Sequence, residues 1–453
     1  MDSRFTIHNS HLENALEFTT LDPQLRRLKT QRYIYQSPIL DELPKTQPGI
    51  YTLSGGRQVG KTTLLKQWMA KLLVEKTNPQ SIAFFTGELI DDFHVLLRLV
   101  ETQLASMPPN NIKFLLIDEI TYIKDWDKAI KFAADSGLLD NVILIITGSD
   151  LALIKEARMR FPGRRGKANV VDFHLYPLSF GEFVKLKTGL DANTIQTTNT
   201  DEDVTTKIFS EFNNYLQHGG YLTAINDLAL NNYITNATLN TYSDWVRGDV
   251  LKRGKNERNL SEILAAIIKR YNTQITWHSL AKDLSIDSHI TVADYLELLQ
   301  SLDVIFIQYA LMEDKLAPAP KKARKVMFTD PFIFHAIRSW LWPEKNSYHQ
   351  QIVPAIQDPL LSAGLVEACV VTHYAHQFPT YYIKAEGEVD IAYIAKNRFW
   401  PIEIKWTNQI RLQDIKQIIK YKNGRIFSKT TELKIIEQVP VEPLPLALLQ
   451  ING

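Results

Sequence analysis

Cysteine is nearly missing from this chain: its 453 residues include one, Cys369. An internal disulfide framework is excluded, and the usage fits a reducing compartment. Net charge is missing too. Lys and Arg number 51 against 50 Asp and Glu, a formal +1, so no global field draws the molecule to nucleic acid or membrane. Any polyanion site must be a local patch. No apolar run approaches the ~18–20 residues that span a bilayer. The opening MDSRFTIHNSHLENALEF holds no uninterrupted apolar core of signal-peptide length. These absences set the expectation of a cytoplasmic chain. What is present is ordinary packing material, 45% hydrophobic and 22% charged residues, over a length that suits two to four domains.

Two stretches lack the apolar residues needed to pack. TGLDANTIQTTNTDEDVTTK (188–207) is rich in Thr, Asn and Asp, and EDKLAPAPKKARK (313–325) carries a basic run beside prolines and alanines. Both are expected at the surface or between domains. Before them, short apolar runs alternate with helix-period segments: GIYTLS (49–54), SIAFF (81–85), IKFLLID (112–118), VILIIT (142–147) and VVDFHLY (170–176). Near-continuous apolar strands separated by helices predict a parallel sheet buried on both faces, an α/β fold.

Directly after the first run stands GGRQVGKTT, Gly55, Gly56, Arg57, Gln58, Val59, Gly60, Lys61, Thr62 and Thr63. Glycines at both ends of such a loop let successive backbone N–H groups turn toward phosphate oxygens. Lys61 is placed for the β- and γ-phosphates, and the Thr62 hydroxyl for Mg²⁺. The following segment repeats Leu64, Leu65, Trp68, Met69, Leu72 and Leu73 at helical spacing, and its positive N-terminal end faces the same phosphates. ATP with Mg²⁺ is the expected ligand. FLLIDEI then supplies Asp118 for the ion and Glu119 to orient or deprotonate a water, a pairing that suits hydrolysis better than mere binding. Thr147 and Ser149 of TGSD are candidates to sense the γ-phosphate, with polar strand ends as the plain alternative. Arg164 and Arg165 of FPGRRGK are candidates for an arginine finger, in cis or in trans, with a solvated basic loop as the alternative.

These motifs, with LYPLSFGEF, YLQHGGYLTAI and KVMFTDPFIFHAI, resemble the AAA-type P-loop ATPases of bacteria and archaea that carry an appended domain of uncharacterised function. One departure is Gly56, where that family often has proline. The resemblance implies an ATP-binding core, a helical and winged-helix middle, and a C-terminal fold similar to PD-(D/E)XK nucleases. The expected blocks are 1–187, 188–255, 256–325 and 326–453.

The residues of the middle block agree with that expectation. ITWHSLAKDLSIDSHITVADYLELLQSLDVIFIQY (275–309) reads as helix, turn, helix and strand, with Leu280, Leu284, Val292, Leu296, Leu299 and Leu302 on the apolar faces. Asp294 and Glu297 on the second helix would repel a phosphate backbone. A DNA contact would instead use Lys315, Lys321, Lys322, Arg324 and Lys325 of the basic loop. A structural connector is the alternative reading.

GEVDIAYIAKNRFWPIEIKW (387–406) raises a separate question, because it sets Glu388, Asp390, Glu403 and Lys405 among strand-forming residues. A hairpin turning on Lys396 and Asn397 places Asp390 opposite Glu403 and Glu388 opposite Lys405, on one face. Val389, Ile391, Tyr393, Ile402 and Ile404 then lie on the other. Opposed carboxylates repel unless a cation lies between them, and a divalent ion with hard oxygen ligands does this. Lys405 would stabilise charge developing on a phosphate. Pro401 lacks a donor, which predicts pairing on one side only there. The resemblance adds Glu367 of AGLVEACVV as a third acid. DIKQIIKY is expected to continue as a helix bringing Lys416, Gln417 or Lys420 to the same edge. A nuclease-like fold without activity, and a plain solvated face, remain alternatives. At the level of function, the rivals are an ATP hydrolase coupled to a DNA-directed nuclease, and a nucleotide-dependent switch or scaffold binding a protein partner. A small-molecule kinase is a weaker third. An oligomer is open.

Overall fold

The computed structural model describes residues 2–149, 158–161, 163–191, 202–284, 286 and 288–451. Asp150, Pro162 and half of the 188–207 stretch, 192–201, lie outside these; its last residues, from Glu202, already belong to the helix Glu202–His218. The chain divides into two compact units, Met1–Tyr176 and Pro177–Gly453.

The first unit is built on five parallel strands, β1 (Gly49–Ser54), β2 (Ile82–Thr86), β3 (Lys113–Asp118), β4 (Val142–Gly148) and β5 (Asp172–His174), in the order β2-β3-β4-β1-β5. Successive residues pack to opposite sides, as strand geometry requires. Leu115, Ile117, Leu144 and Ile146 meet the helices Phe93–Ser106 and Trp126–Asp135. Phe114, Leu116, Ile143 and Ile145 meet the helix Lys61–Val74 through Leu65, Trp68 and Met69. Both faces are covered, which is why the strands are apolar throughout. β4 lies between β1 and β3, so the ends of all three converge.

The second unit opens with helices and closes with a sheet. Helices Glu257–Lys269, Trp277–Lys282 and His289–Ser301 precede a two-stranded antiparallel ladder, β6 (Ile305–Tyr309) with β9 (Arg324–Phe328). Between them β7 (Leu311–Met312) pairs with β8 (Ala317–Pro318). After the helix Pro359–Gln377 comes a six-stranded mixed sheet. It comprises β10 (Thr380–Lys384), β11 (Glu388–Ala395), β12 (Arg398–Lys405), β13 (Arg425–Ser428), β14 (Lys434–Ile436) and β15 (Val439–Pro443), ordered β10-β11-β12-β13-β15-β14.

Three motifs that carry the family resemblance are joints of this unit. Ser179 and Glu182 form a reciprocal cap on the helix Phe180–Thr188. Leu178 donates to the Gly220 carbonyl at 2.9 Å, and a Cβ on Gly220 would stand 2.1 Å from the Leu178 oxygen. Asp330 caps the helix Pro331–Leu341 through Phe332 N and also accepts from Gly220 N at 2.8 Å. The division between the compact units lies at 176/177, and Phe180 and Phe183 bury against Phe212 and Tyr215 of the second unit. The edge at 325/326 cuts through β9, whose ladder belongs to the same compact unit as the sheet.

Among the described residues, no single helix is long and apolar enough to cross a membrane.

Candidate functional site

The loop after β1 takes the shape its glycines allow. Gly55 and Gly60 have φ of 149° and 106°, and Gln58 turns through φ 61°. A Cβ at Gly55 would meet the Leu175 carbonyl at 2.4 Å, so only glycine fits there. Gly56 is buried, and its carbonyl, with that of Gly55, accepts from Lys61 Nζ at 2.9 and 3.0 Å. Arg57 donates to the Tyr122 hydroxyl at 2.5 Å. Val59 flanks the loop against Gly55. Thr63 accepts from Gln24 at 2.8 Å, so the N-terminal segment also braces this helix. Lys66, one turn on, forms a buried ion pair with Asp22 at 3.0 Å.

At the strand ends the side chains form one connected network. Thr62 Oγ1 donates to Asp118 Oδ2 at 2.6 Å, and Thr147 Oγ1 to Asp118 Oδ1 at 2.6 Å. Thr147 Oγ1 accepts from Glu119 N at 2.9 Å. Ser149 Oγ lies 3.4 Å from Glu119 Oε2, and Lys61 Nζ 3.6 Å from Glu119 Oε1. Glu119 itself is left-handed, φ 49° and ψ 48°. Burial pushes the Asp118 carboxyl above its ordinary value, and the Thr147 and Thr62 hydroxyls offset this only in part. The Thr62 hydroxyl and Asp118 carboxylate are paired hard oxygens, the donor type Mg²⁺ takes. The residues present fit a nucleotide-borne Mg²⁺.

Arg164 and Arg165 are not part of this network. Arg165 pairs with Asp172 and the Val171 carbonyl. Its own carbonyl, with Gly166, packs against Gly49 at the start of β1, while the phosphate loop follows the other end, about 17 Å along. Arg164 is bonded to Asp135, at the end of the helix that leads back to the start of β4. Neither arginine serves its own loop as a finger. Asp172 and Asp135 are thus the acids that pair with these two arginines.

In the second unit the hairpin has the expected turn, with Lys396 and Asn397 at φ 52° and 57°, the left-handed pair of a two-residue turn. Its ladder runs from Ala395 opposite Arg398 to Ile391 opposite Ile402. Pro401 falls just before β13 begins pairing at Ile402, so its strand is paired on one side there. The ladder then changes. Tyr381 faces Ala392 and Ile383 faces Val389, so Asp390 and Ile391 together stand opposite Tyr382 in a β-bulge. The bulge reverses the alternation: Val389 packs with Ala392, Ile415 and Ile426, whereas Tyr393 meets Tyr374. The Asp390 carboxylate accepts from Ile404 N at 2.8 Å.

Glu388 does not face Lys405 as the simple hairpin predicts. It pairs in register with Lys384 and its carboxylate is bonded by Lys325 and Gln274. Lys405 bonds Glu403 Oε1 at 2.5 Å. The largest correction is Lys325, expected on an exposed basic loop and found 1% exposed. Its ammonium is 2.8 Å from Glu367, 3.5 Å from Asp390, and bonded to Glu388. Lys315, Lys321 and Lys322 of that loop are exposed, while Arg324 stacks over Trp277 and Tyr309. The segment DIKQIIKY forms short 3-10 turns, Leu412–Asp414 and Ile418–Lys420, rather than a continuing helix. Within it Gln417 accepts from Gly387 N, and Lys420 pairs with Glu386.

Burial raises Glu403 to about 8, with Asp390 adding to it, and raises Glu367 to about 7 against the pull of Lys325. Burial would lower Lys325 and Lys405, yet their carboxylate neighbours leave both raised. Among the described residues, no group of three or more His, Cys, Asp or Glu side chains is set to share one metal ion. The acids Glu367, Asp390 and Glu403 therefore do not fit a divalent ion as they stand. Sequence reasoning missed Lys325, Gln274, Gln308, Gln24 and Tyr122. The signal for Lys325 was its place at the head of the apolar run Val326, Met327 and Phe328, a strand buried on both faces.

Comparison with known proteins covers the chain in parts. Residues 47–184 match the family described as an AAA domain, and residues 209–344 match a domain of unknown function, DUF8612. An uncharacterized protein of Methanocaldococcus jannaschii is 28% identical over 249 residues. That match spans about half of each chain, 50% of this one and 52% of the relative. A Walker-type ATPase of Pyrococcus abyssi is 15% identical with a TM-score of 0.41, covering 64% of this chain and 91% of that one. The ORC1 protein of Aeropyrum pernix in complex with DNA is 12% identical with a TM-score of 0.33, covering 74% and 93%. Strand order, phosphate loop and family match together make residues 47–184 an AAA-type P-loop domain.

Proposed function

We propose that the chain hydrolyses ATP with Mg²⁺. The observation that carries this reading is the hydrogen-bonded network Thr62–Asp118–Thr147–Glu119, assembled from the ends of β3 and β4 and the start of the helix that follows the phosphate loop. Backbone N–H groups of residues 55–63 and the helix end receive the phosphates. Lys61 exchanges its loop carbonyls for phosphate oxygens. Thr62 and Asp118 would hold Mg²⁺, which when bound neutralises phosphate charge. Glu119 accepts the proton of the attacking water, and Thr147 fixes the backbone from which it reaches. Glu119→Gln tests this. ATP turnover should fall at least 100-fold with nucleotide binding kept, while Lys61→Ala loses binding. Turnover by Glu119→Gln at the wild-type rate would remove the assignment.

The second unit, in the same proposal, is nuclease-like and acts on DNA under nucleotide control. Its support is the meeting of Glu367, Asp390, Glu403 and Lys405 at the open end of one hairpin. The three helices followed by the β6–β9 ladder suit a winged-helix reading, with Lys315, Lys321 and Lys322 exposed for phosphates. One observation favours the rival, a nucleotide-dependent switch with an inactive cluster: Lys325 already pairs with Glu367 and Asp390, and with Glu388 beside them. Plasmid cleavage with Mg²⁺ or Mn²⁺, compared between wild type and Asp390→Ala, separates the two. A switch instead shows nucleotide-dependent partner binding or self-assembly that survives loss of Asp390 and Glu403 but not of Lys61.

A further inference from the structure

Four carboxylates from three elements gather at one place: Glu367 on the helix Pro359–Gln377, Glu388 and Asp390 on β11, and Glu403 on β12. Two ammoniums answer them. Lys405 takes Glu403, and Lys325 takes the other three. With every group ionised, two negative charges remain in excess.

Lys325 arrives here by construction. In the β6–β9 ladder it is the cross-strand partner of Gln308, whose amide donates to the Asp390 carbonyl at 2.8 Å. That rung of the ladder presses directly on β11. Gln274, just before the helix Trp277–Lys282, grips Glu388 from the same side and is itself bonded by Lys384. An isolated charge this buried would be expelled or neutralised. It stays because its partners are positioned to receive it.

A second observation is independent of the lysine. Glu403 is 5% exposed, its Oε1 is bonded to Lys405, and its Oε2 is buried without a hydrogen-bond partner. A buried carboxylate oxygen left bare beside Asp390 is an acceptor held ready for a cation. Glu367, Asp390 and this oxygen are the hard donors a divalent ion selects. Such an ion in place of the ammonium would halve the excess charge.

We propose that this cluster is a cation site whose resident cation is the Lys325 ammonium, and that a divalent ion enters only by displacing it. The proposal rests on reading the carboxylate face as a cation site, and it explains why the acids as arranged do not share a metal.

The test is Mn²⁺ binding by calorimetry, with thermal melting in EDTA and in Mn²⁺, on the full chain without nucleotide. Lys325→Met should melt lower than wild type in EDTA and recover in Mn²⁺. It should bind Mn²⁺ at least tenfold more tightly than wild type, and adding Glu367→Gln should abolish the gain. Equal Mn²⁺ affinity in wild type and Lys325→Met overturns the proposal, as does a lowered melt that Mn²⁺ does not restore. If Lys325→Met does not fold, Lys325→Met with Glu388→Gln removes one negative charge along with the lysine and should show the same gain. Failure of both variants to fold in Mn²⁺ also overturns it, because the ion would then not replace the ammonium. A Lys325→Met protein that binds Mn²⁺ but leaves DNA intact sinks the nuclease reading alone. One without the Mn²⁺ gain sinks this proposal whether or not DNA is cut.

Discussion

Thr147→Val is the sharpest probe of the nucleotide site, because one hydroxyl there does two jobs. It donates to Asp118 Oδ1 at 2.6 Å and accepts from Glu119 N at 2.9 Å. Valine keeps the shape and removes both bonds. A hydrogen bond to a charged group is worth about 1.5–3 kcal/mol, and a buried N–H left bare costs about 1–3 kcal/mol. Water can reach part of this rim, so a net stability loss of about 2–4 kcal/mol is expected. The catalytic effect follows from geometry. Glu119 sits at φ 49°, a conformation that costs of order 1–3 kcal/mol unless its surroundings hold it. Thr147 supplies one restraint. Gly87 supplies another, since a Cβ there would stand 2.3 Å from the Glu119 carbonyl. With the first restraint gone the carboxylate drifts, and misplacement by about 1 Å costs about 100-fold. Thr147→Val should therefore lower kcat by about 10–100-fold, with nucleotide affinity within about threefold of wild type. Thr147→Ser should keep both within about threefold. The assays are steady-state ATP hydrolysis, titration with a fluorescent ATP analogue, and urea denaturation. A Thr147→Val enzyme with kcat within twofold of wild type refutes the argument. So does an equal loss in affinity and kcat, which would make Thr147 a binding group only.

Other expectations are simpler to state. Arg164→Ala should leave ATP turnover within about twofold, since Arg164 is tied to Asp135 at the far end of the strands from the phosphate loop; a large loss would place it at a neighbouring subunit's nucleotide. Asp330→Ala should destabilise the second unit by about 2–4 kcal/mol in urea, because it strips a helix cap and leaves Gly220 N unpartnered. The pH dependence has a definite sign. Glu367 at about 7 and Glu403 at about 8 lie above their ordinary 4.5, so the folded chain keeps protons that the unfolded chain has released. Their contribution to stability is full below about 4.5 and is lost as pH rises through 7–8. Urea midpoints measured from pH 5 to 9 should fall over that window, and Glu403→Gln should flatten the slope.

Much of this protein was local enough to be legible in its residues. The phosphate loop, the acids ending FLLIDEI and the turn on Lys396 and Asn397 each depend on neighbours within a few positions. A glycine's φ, the end of an apolar strand or a two-residue turn is set by those neighbours. The turn alone fixed five rungs of the hairpin, because antiparallel register propagates from its loop. Register could not foresee the bulge at Asp390 and Ile391, which depends on how β10 packs against the same strand from its other side. Nor could composition place the basic residues. Lys325 belongs to a lysine-rich run, yet Gln308 across the ladder and three acids from a helix and a strand far along the chain turn it inward. Arg164 and Arg165 fit a finger by sequence distance, but the fold returns them to the start of β1. The sequence by itself determined what each short segment wants to be. The tertiary structure decided which charges share a site, because buried charges hold only where partners distant in the chain meet them.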